Sequence, residues 1–294
     1  MQKVLGCFQE RLAHGKEPME DLAGEKEMTV IIKYPMQTKE RNKVFFEKKD
    51  QELMNLDWSQ QGGWFDTDGC FSSQIYKPKV GKLYLRRRAD LKLKDRQPVE
   101  LFSKTFETSL ICTKWKSTTP EPYKKEYLIS IYQAELTGEK AVWFAKNVYP
   151  YLIKQEKKDY AAKLLGYRPE SKNFSDWTPE EVRNYLATAL EGDGSFVIRL
   201  GKRTTWIRAK IASSEVQYLS DIKYIAEKKL GTIFTLAEVA TYKTQKGIKT
   251  KYALYIDGSQ NRKNLDFFQS LVKDGVMTLD RKKQKVQQYL NDLE

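Results

Sequence analysis

Two aspartates far apart along the chain, Asp68 and Asp193, stand in the same local frame, and a pair of such carboxylates could hold a hard cation. Around the first the sequence reads Gln61-Gly62-Gly63-Trp64-Phe65-Asp66-Thr67-Asp68-Gly69-Cys70-Phe71. Around the second it reads Leu186-Ala187-Thr188-Ala189-Leu190-Glu191-Gly192-Asp193-Gly194-Ser195-Phe196. Small residues come first in each copy, then apolar ones, then acid-x-Asp-Gly, a small residue and Phe. A single Asp-x-Asp-Gly is a common turn. Two copies in one frame, each after a helix-like run and before a strand-like one, are an internal repeat.

The elements that must position these acids follow from the same residues. Helices that approach backbone to backbone carry small residues where they touch, so Gly62, Gly63, Ala187 and Thr188 predict two crossing helices. Each helix should end at Asp-Gly, with Gly69 or Gly194 taking the left-handed cap conformation. Asp68 and Asp193 would then lie at the negative ends of two helix dipoles, where a carboxylate is disfavoured and a bound cation would relieve the penalty.

Composition narrows the partners. The 294 residues carry 52 Lys+Arg against 39 Asp+Glu, a net charge of +13, and with a pI of about 9.3 a polyanion is the natural partner. The one histidine, His14, lies in the N-terminal tail, which excludes histidine acid/base chemistry and His-rich metal sites. Cys7, Cys70 and Cys112 are odd in number and widely spaced, so they read as reduced thiols in an intracellular protein rather than as a disulfide framework or zinc site. No apolar run approaches the length of a membrane span, and Glu10, Glu17, Glu20 and Asp21 are too acidic for a transit peptide.

In chain order, residues 1–50 read as an extension outside the repeat, with a short helix at Val4–Leu12 and a strand at Val30-Ile31-Ile32. The first unit, residues 51–168, opens with a helix from Gln51 to Phe65. Past Gly69 the pattern turns to strand period, with Phe71, Ser73 and Ile75 inward and Ser72, Gln74 and Tyr76 outward. The run Lys82–Lys94 alternates throughout: Leu83, Leu85, Arg87, Ala89, Leu91 and Leu93 share one phase, and Lys82, Tyr84, Arg86, Arg88, Asp90, Lys92 and Lys94 the other. Such alternation means one buried and one solvated face, and the density of Lys and Arg on the second fits a sheet laid along nucleic acid. A helix at Pro98–Glu107, strands at Cys112–Ser117 and Tyr127–Tyr132, and a long helical region at Glu139–Leu165 complete this unit.

A linker at residues 169–175 leads to the second unit, 176–294. That unit opens with Asp176-Trp177-Thr178-Pro179-Glu180-Glu181, a helix start with a capping residue, Pro in the first turn and acids beside the positive dipole end. Strands near Phe196–Leu200 and Thr205–Ser213 place Arg199, Trp206, Arg208 and Lys210 outward, with Ile198, Ile207, Ala209 and Ile211 inward. A helix at Glu215–Leu230, strands at Thr232–Ala240 and Lys249–Ile256, and helices at Gln260–Val272 and Asp280–Leu293 follow. Element order thus repeats.

The paired segments resemble the LAGLIDADG motif of homing endonucleases, in the two-motif, single-chain form, over residues 50–294. Gln61 departs from the leading Leu, and Trp64 is bulky for its place. The resemblance implies an α+β fold of two pseudo-symmetric αββαββα units, each with a curved antiparallel sheet, packed through the motif helices into a saddle over DNA. It implies that Asp68 and Asp193 are the metal-binding catalytic carboxylates, with Thr67 and Gly192 beside the metal, and that Asp66 and Glu191 have a structural or secondary role. It places catalytic lysines before the last helix of each unit, at Lys154 or Lys157 and at Lys282 or Lys283. DNA contacts are expected from Ser72, Gln74, Tyr76, Lys82, Tyr84, Arg86, Arg88, Lys92, Lys94, Arg199, Trp206, Arg208, Lys210, Lys249 and Lys251. The implied cofactor is Mg²⁺, two or three ions between the motif carboxylates and DNA phosphates, since a hard ion suits oxygen ligands.

The implied activity is site-specific double-strand DNA cleavage leaving staggered ends, by a monomer, in the organelle or bacterial cytoplasm that encodes it. Two other readings compete: an intron RNA maturase or non-cleaving nucleic-acid-binding protein on the same scaffold, and a basic structural protein whose Asp-Gly repeats are only helix caps. Paired acids favour the nuclease, because a pure RNA chaperone has no need of them.

Overall fold

Because acid-x-Asp-Gly sits between a helix-period and a strand-period run, each unit is built outward from that turn. A computed structural model describes residues 28–32, 56–77, 83–118, 126–200, 205–244 and 247–293. In the first unit the elements are α1 (Trp58–Thr67), β2 (Gly69–Tyr76), β3 (Tyr84–Leu93), α2 (Arg96–Thr105), β4 (Leu110–Thr118), β5 (Glu126–Thr137), α3 (Glu139–Val148) and α4 (Gln155–Leu165), preceded by β1 (Met28–Ile32). The second unit repeats the order as α5 (Pro179–Gly192), β6 (Gly194–Leu200), β7 (Thr205–Ser213), α6 (Val216–Leu230), β8 (Thr235–Thr244), β9 (Gly247–Asp257), α7 (Arg262–Lys273) and α8 (Asp280–Asn291). The fold class is the expected one, two pseudo-symmetric α+β units joined through the motif helices. The closing helical part of each is split in two.

Both sheets are antiparallel. The second runs β6-β7-β9-β8, and the first runs β1-β4-β5-β3-β2, so the strand expected at Val30–Ile32 adds a fifth member on β4, with no equivalent in the second sheet among the described residues. One core gathers Phe65, Phe71, Phe102, Phe106 and Phe144 between α1, the sheet and the outer helices. The other gathers Tyr185, Phe196, Ile207, Leu219, Ile222 and Phe268, and takes in Ile153 from the first half of the chain. The predicted stripe Leu219, Ile222, Ile225 and Ala226 is buried along α6, as one apolar helix face requires. At the start of α5, Thr178 Oγ1 accepts from Glu181 N at 3.1 Å while the Glu181 carboxylate accepts from Thr178 N at 2.8 Å, a complete capping box.

Several expectations are corrected. Gly69 and Gly194 are not left-handed caps: Asp68 (φ −118°) and Asp193 (φ −84°) end the helices in right-handed conformation, and each glycine opens a strand. Glycine is required there by space, because a Cβ on Gly69 would sit 2.3 Å from Phe65 Cγ and one on Gly194 2.4 Å from the Leu190 carbonyl. The region Glu139–Leu165 is broken by a short 3₁₀ turn at Tyr149–Tyr151, where Pro150 interrupts helix hydrogen bonding. Helix α1 starts at Trp58, with Asp57 as its cap. Ile75, Leu83 and Leu85, read as inward, are 76%, 62% and 47% exposed. Their strands run past the helices, so alternation holds only where Phe71, Ala89 and Leu91 are covered. The helix Val4–Leu12, His14 and Lys82 lie outside the described residues.

Candidate active site and nucleic-acid face

The repeat becomes a geometric pair because α1 and α5 pack against each other at near-backbone contact. A Cβ on Gly63 would fall 2.1 Å from Thr188 Oγ1 and 2.4 Å from the Tyr185 carbonyl; one on Gly192 would fall 2.1 Å from Thr67 Oγ1 and 2.4 Å from Asp68 Oδ2. The Asp68 carboxylate therefore lies against the last residue of α5, next to Asp193. Neither threonine can readily swing aside. Thr67 Oγ1 donates to the Gly63 and Trp64 carbonyls, and Thr188 Oγ1 to those of Asn184 and Tyr185, at 3.0–3.1 Å. Thr67, expected beside a metal, is fully buried and spent in this seam.

Asp193 follows Asp68 by 125 positions (193 − 68), and the same offset relates two further sets of residues. Asp66 is buried and accepts from Ile153 N at 2.6 Å and Lys154 N at 3.2 Å. Glu191, its counterpart, accepts from Leu279 N at 2.9 Å and from Thr278 N. Each motif thus uses its first acid to fix the segment that precedes the last helix of its unit. Across the seam, Tyr185 OH donates to Asp66 at 2.5 Å and Trp64 Nε1 to Glu191 at 3.0 Å, so each bracket also takes a donor from the other unit. Burial raises both carboxyls, Asp66 to about 6 against the pull of Tyr185, Ile153 N and the nearby lysines.

The lysines fall into register by the same rule. Lys157 Nζ donates to the Gly69 carbonyl at 2.5 Å, and Lys282 Nζ, 125 positions on, donates to the Gly194 carbonyl at 2.7 Å. Lys282 also donates to the carbonyls of Leu190 (2.7 Å) and Glu191 (2.5 Å), placing a cation at the negative end of α5 beside Asp193. Burial pushes its pKa down to about 8, aided by Arg281 and opposed by Glu191, Asp68 and Asp95. With three carbonyl acceptors around one ammonium, its protons are committed to securing the turn. Lys154 is different: its counterpart is Leu279, and its Nζ lies 5.1 Å from the Tyr218 ring centroid and 3.4 Å from the Asp66 carbonyl. Lys283 is half-buried on α8 and corresponds to Lys158.

Among the described residues no group of three or more Asp, Glu, His or Cys could close around a metal ion. Two carboxylates at adjoining helix ends, flanked by buried lysines, fit a hard divalent ion whose remaining ligands are phosphate oxygens and water.

Most of the predicted DNA contacts share the outer faces of the sheets. In the first, Ser72, Gln74 and Tyr76 pair with Arg88, Arg86 and Tyr84; Lys92 is half-buried and Lys94 exposed just past β3. In the second, Arg199 pairs with Trp206, and Lys210, Lys251 and Lys249 lie in the same phase as Arg208. The sequence missed the acids among them. Glu135 pairs with Arg88 and lies 3.6 Å from Arg86, while Asp257 holds Arg208 through two hydrogen bonds of 2.6 and 3.0 Å. The strand registers needed to see this are long-range. The offset that maps Lys157 onto Lys282, by contrast, stood in the sequence.

No protein-family model matches the chain, and no curated relative matches it. Among solved structures, the LAGLIDADG homing endonuclease I-GzeII in complex with its DNA target is 14% identical, with a TM-score of 0.49 over 80% of this chain and 88% of that one. The LAGLIDADG meganuclease I-AabMI bound to uncleaved DNA is 12% identical, TM-score 0.47, over 81% and 90%. I-SmaMI bound to uncleaved DNA with calcium ions is 13% identical, TM-score 0.41, over 81% and 96%. The chain is similar to these structures. At such identities the likeness concerns the course of the backbone, and the roles of side chains rest on the geometry above.

Proposed function

We propose that the chain is a LAGLIDADG-type, site-specific endonuclease that cuts both strands of a DNA duplex. The observation that carries this reading is the doubled constellation at one offset: Asp68 with Asp66 and Lys157, and Asp193 with Glu191 and Lys282, brought to the adjoining ends of α1 and α5. Cutting two strands requires two centres related by the approximate two-fold symmetry of the duplex, and the pseudo-symmetry of the chain supplies them in a monomer. The +13 charge and the basic outer faces of the sheets favour a polyanion.

Asp68 and Asp193 would each hold divalent metal, Mg²⁺ in the cell, jointly with a scissile phosphate. The bound ion supplies charge neutralisation on the phosphate and a more acidic water. The chain's own residues do the rest. Lys157 and Lys282 fix the turn on which each aspartate sits and keep positive charge beside it. Asp66 and Glu191 hold the lysine-bearing segments, and the Gly–Thr contacts keep the two acids adjacent. Outward Arg, Lys and Gln side chains of the sheets bind phosphate and base edges.

The test is supercoiled-plasmid cleavage with and without Mg²⁺, on DNA carrying a site selected by the protein, for the parent, Asp68→Asn and Asp193→Asn. Either substitution should abolish linearisation while leaving binding within a few-fold at moderate salt. Unimpaired cutting by either variant, or binding indifferent to salt between 50 and 200 mM, where counterion release predicts a steep fall, would refute the assignment.

A further inference from the structure

The two sheets carry an arginine at the same place. Arg88 on β3 pairs with Ser72 on β2, and Arg208 on β7 pairs with Val197 on β6. Ser72 and Val197 each stand four residues past the motif aspartate, so the arginines are pseudo-symmetry mates. Each is met by a carboxylate from the neighbouring strand, but from different positions on it. Arg88 pairs with Glu135, the register partner of Asp90 on β5, while Arg208 pairs with its own register partner Asp257 on β9.

What the acid does to the arginine is clearest in the second unit. Asp257 takes Nε and Nη2 of Arg208 along one edge of the guanidinium. The Trp206 ring lies 5.2 Å from Arg208 Cζ, with Arg199 5.3 Å from the same ring and Tyr255 5.5 Å from Arg208. A guanidinium has five N–H donors in a rigid fork, so an acid on the Nε edge turns the Nη1–Nη2 end outward. Arg208 is exposed and Asp257 half-buried, and an ion pair open to solvent contributes little to stability. Two independent restraints on one exposed side chain are therefore better explained by presentation than by folding.

On Arg88 the carboxylate of Glu135 meets Nη2. We infer that Arg88 and Arg208 are specificity-determining residues, each reading a guanine through the fork donors that its carboxylate partner leaves free, so that the target carries guanine at a mirror-related pair of positions, one in each half-site. Two donors in line match O6 and N7 of guanine in the major groove, and no other base edge offers two acceptors so placed. Glu135 and Asp257 are positioning residues: they fix the fork and touch no base. This rests on the reading of the chain as a site-specific DNA-binding nuclease.

The experiment is selection of bound duplexes from a pool of 30-base-pair DNAs randomised throughout, in Ca²⁺ buffer, with the parent protein, Arg208→Ala, Arg208→Lys, Arg88→Ala and Asp257→Asn, each checked for a parent-like melting transition. The parent consensus should contain guanine at two mirror-related positions. Arg208→Ala and Arg208→Lys should each lose the preference at one of them, by roughly 5- to 150-fold in relative affinity for guanine over the other bases, and Arg88→Ala at its mate. Asp257→Asn should weaken discrimination at the Arg208 position while keeping most of the overall affinity. A parent consensus unchanged by Arg208→Ala, or an even loss of affinity across all sequences, would show a phosphate contact or a surface ion pair only and overturn the inference. A parent pool with no consensus overturns instead the site-specific reading beneath it.

Discussion

Replacing Gly192 by alanine tests whether the seam between α1 and α5 sets the positions of the acids. The new Cβ would lie 2.1 Å from Thr67 Oγ1 and 2.4 Å from Asp68 Oδ2, where ordinary contact begins at 3.4 Å, so the groups must part by about 1.3 and 1.0 Å. Thr67 is tied to the Gly63 and Trp64 carbonyls, which leaves helix separation and displacement of the Asp68 carboxylate as the ways to relax. Overpacking of this kind costs about 1–3 kcal/mol, and a chain of this size loses roughly 2–4 °C of melting temperature per kcal/mol. Gly63→Ala creates the same 2.1 Å overlap, with Thr188 Oγ1, one helical turn further from the acids, and is the matched control. Both variants should melt several degrees below the parent. Cleavage should fall at least tenfold further in Gly192→Ala than in Gly63→Ala, because an ångström of displacement at the reacting centre is far more damaging than one remote from it. Scanning calorimetry and single-turnover cleavage on a selected site decide the matter. Parent-like cutting by a folded Gly192→Ala protein would refute the reasoning.

Three further expectations follow from individual groups. Asp66 is fully buried and binds its proton up to about pH 6 in the folded chain. Its folded pKa lies above the unfolded value, so its contribution to stability declines as pH rises from 4 to 7, by about 2 kcal/mol; urea titrations should show the parent's margin over Asp66→Asn shrinking by that amount, and a constant margin would contradict the burial. Arg281 and Asp95 join the units through hydrogen bonds of 2.6 and 2.8 Å that hold the Asp95 carboxyl below its usual range. As a partly exposed pair it contributes about 0.2–1 kcal/mol, present at neutral pH and lost as pH falls through the depressed carboxyl pKa; Arg281→Ala should melt slightly lower at pH 7 and equal the parent at strongly acidic pH. Thr178→Ala should lower stability by about 0.5–2 kcal/mol in urea denaturation through loss of the capping box at α5.

What the sequence disclosed was what short-range pattern encodes. The small residues of the motifs predicted the helix pair, the switch of period past Gly69 and Gly194 predicted the strands, and the Thr178-Pro179 start was read correctly. Long-range pairing was hidden. Nothing local to Asp66 or Glu191 says that each will hold the backbone of a segment about 87 residues on (153 − 66, 278 − 191), or that Trp64, which looked too bulky, donates to Glu191 across the seam. Glycine after aspartate suggested a left-handed cap when the reason for glycine was the preceding helical turn. Alternation along β3 overstated burial because it reports the pleat, not how far the helices extend over it. The fifth strand was visible as an apolar run, and its place on β4 was not.

The seam has one more consequence. The pseudo-symmetry that carries Asp68 onto Asp193 carries Gly63 onto Thr188 and Thr67 onto Gly192, so at both axial contacts a notch in one half receives a peg from the other. Two copies of the first half docked the same way would set peg on peg at Thr67 and leave an empty notch at Gly63; two copies of the second would do so at Thr188 and Gly192. Each half is thereby shaped to reject its own duplicate. The polypeptide stays a matched couple rather than a pair of interchangeable twins, its two halves free to diverge in the surfaces they present.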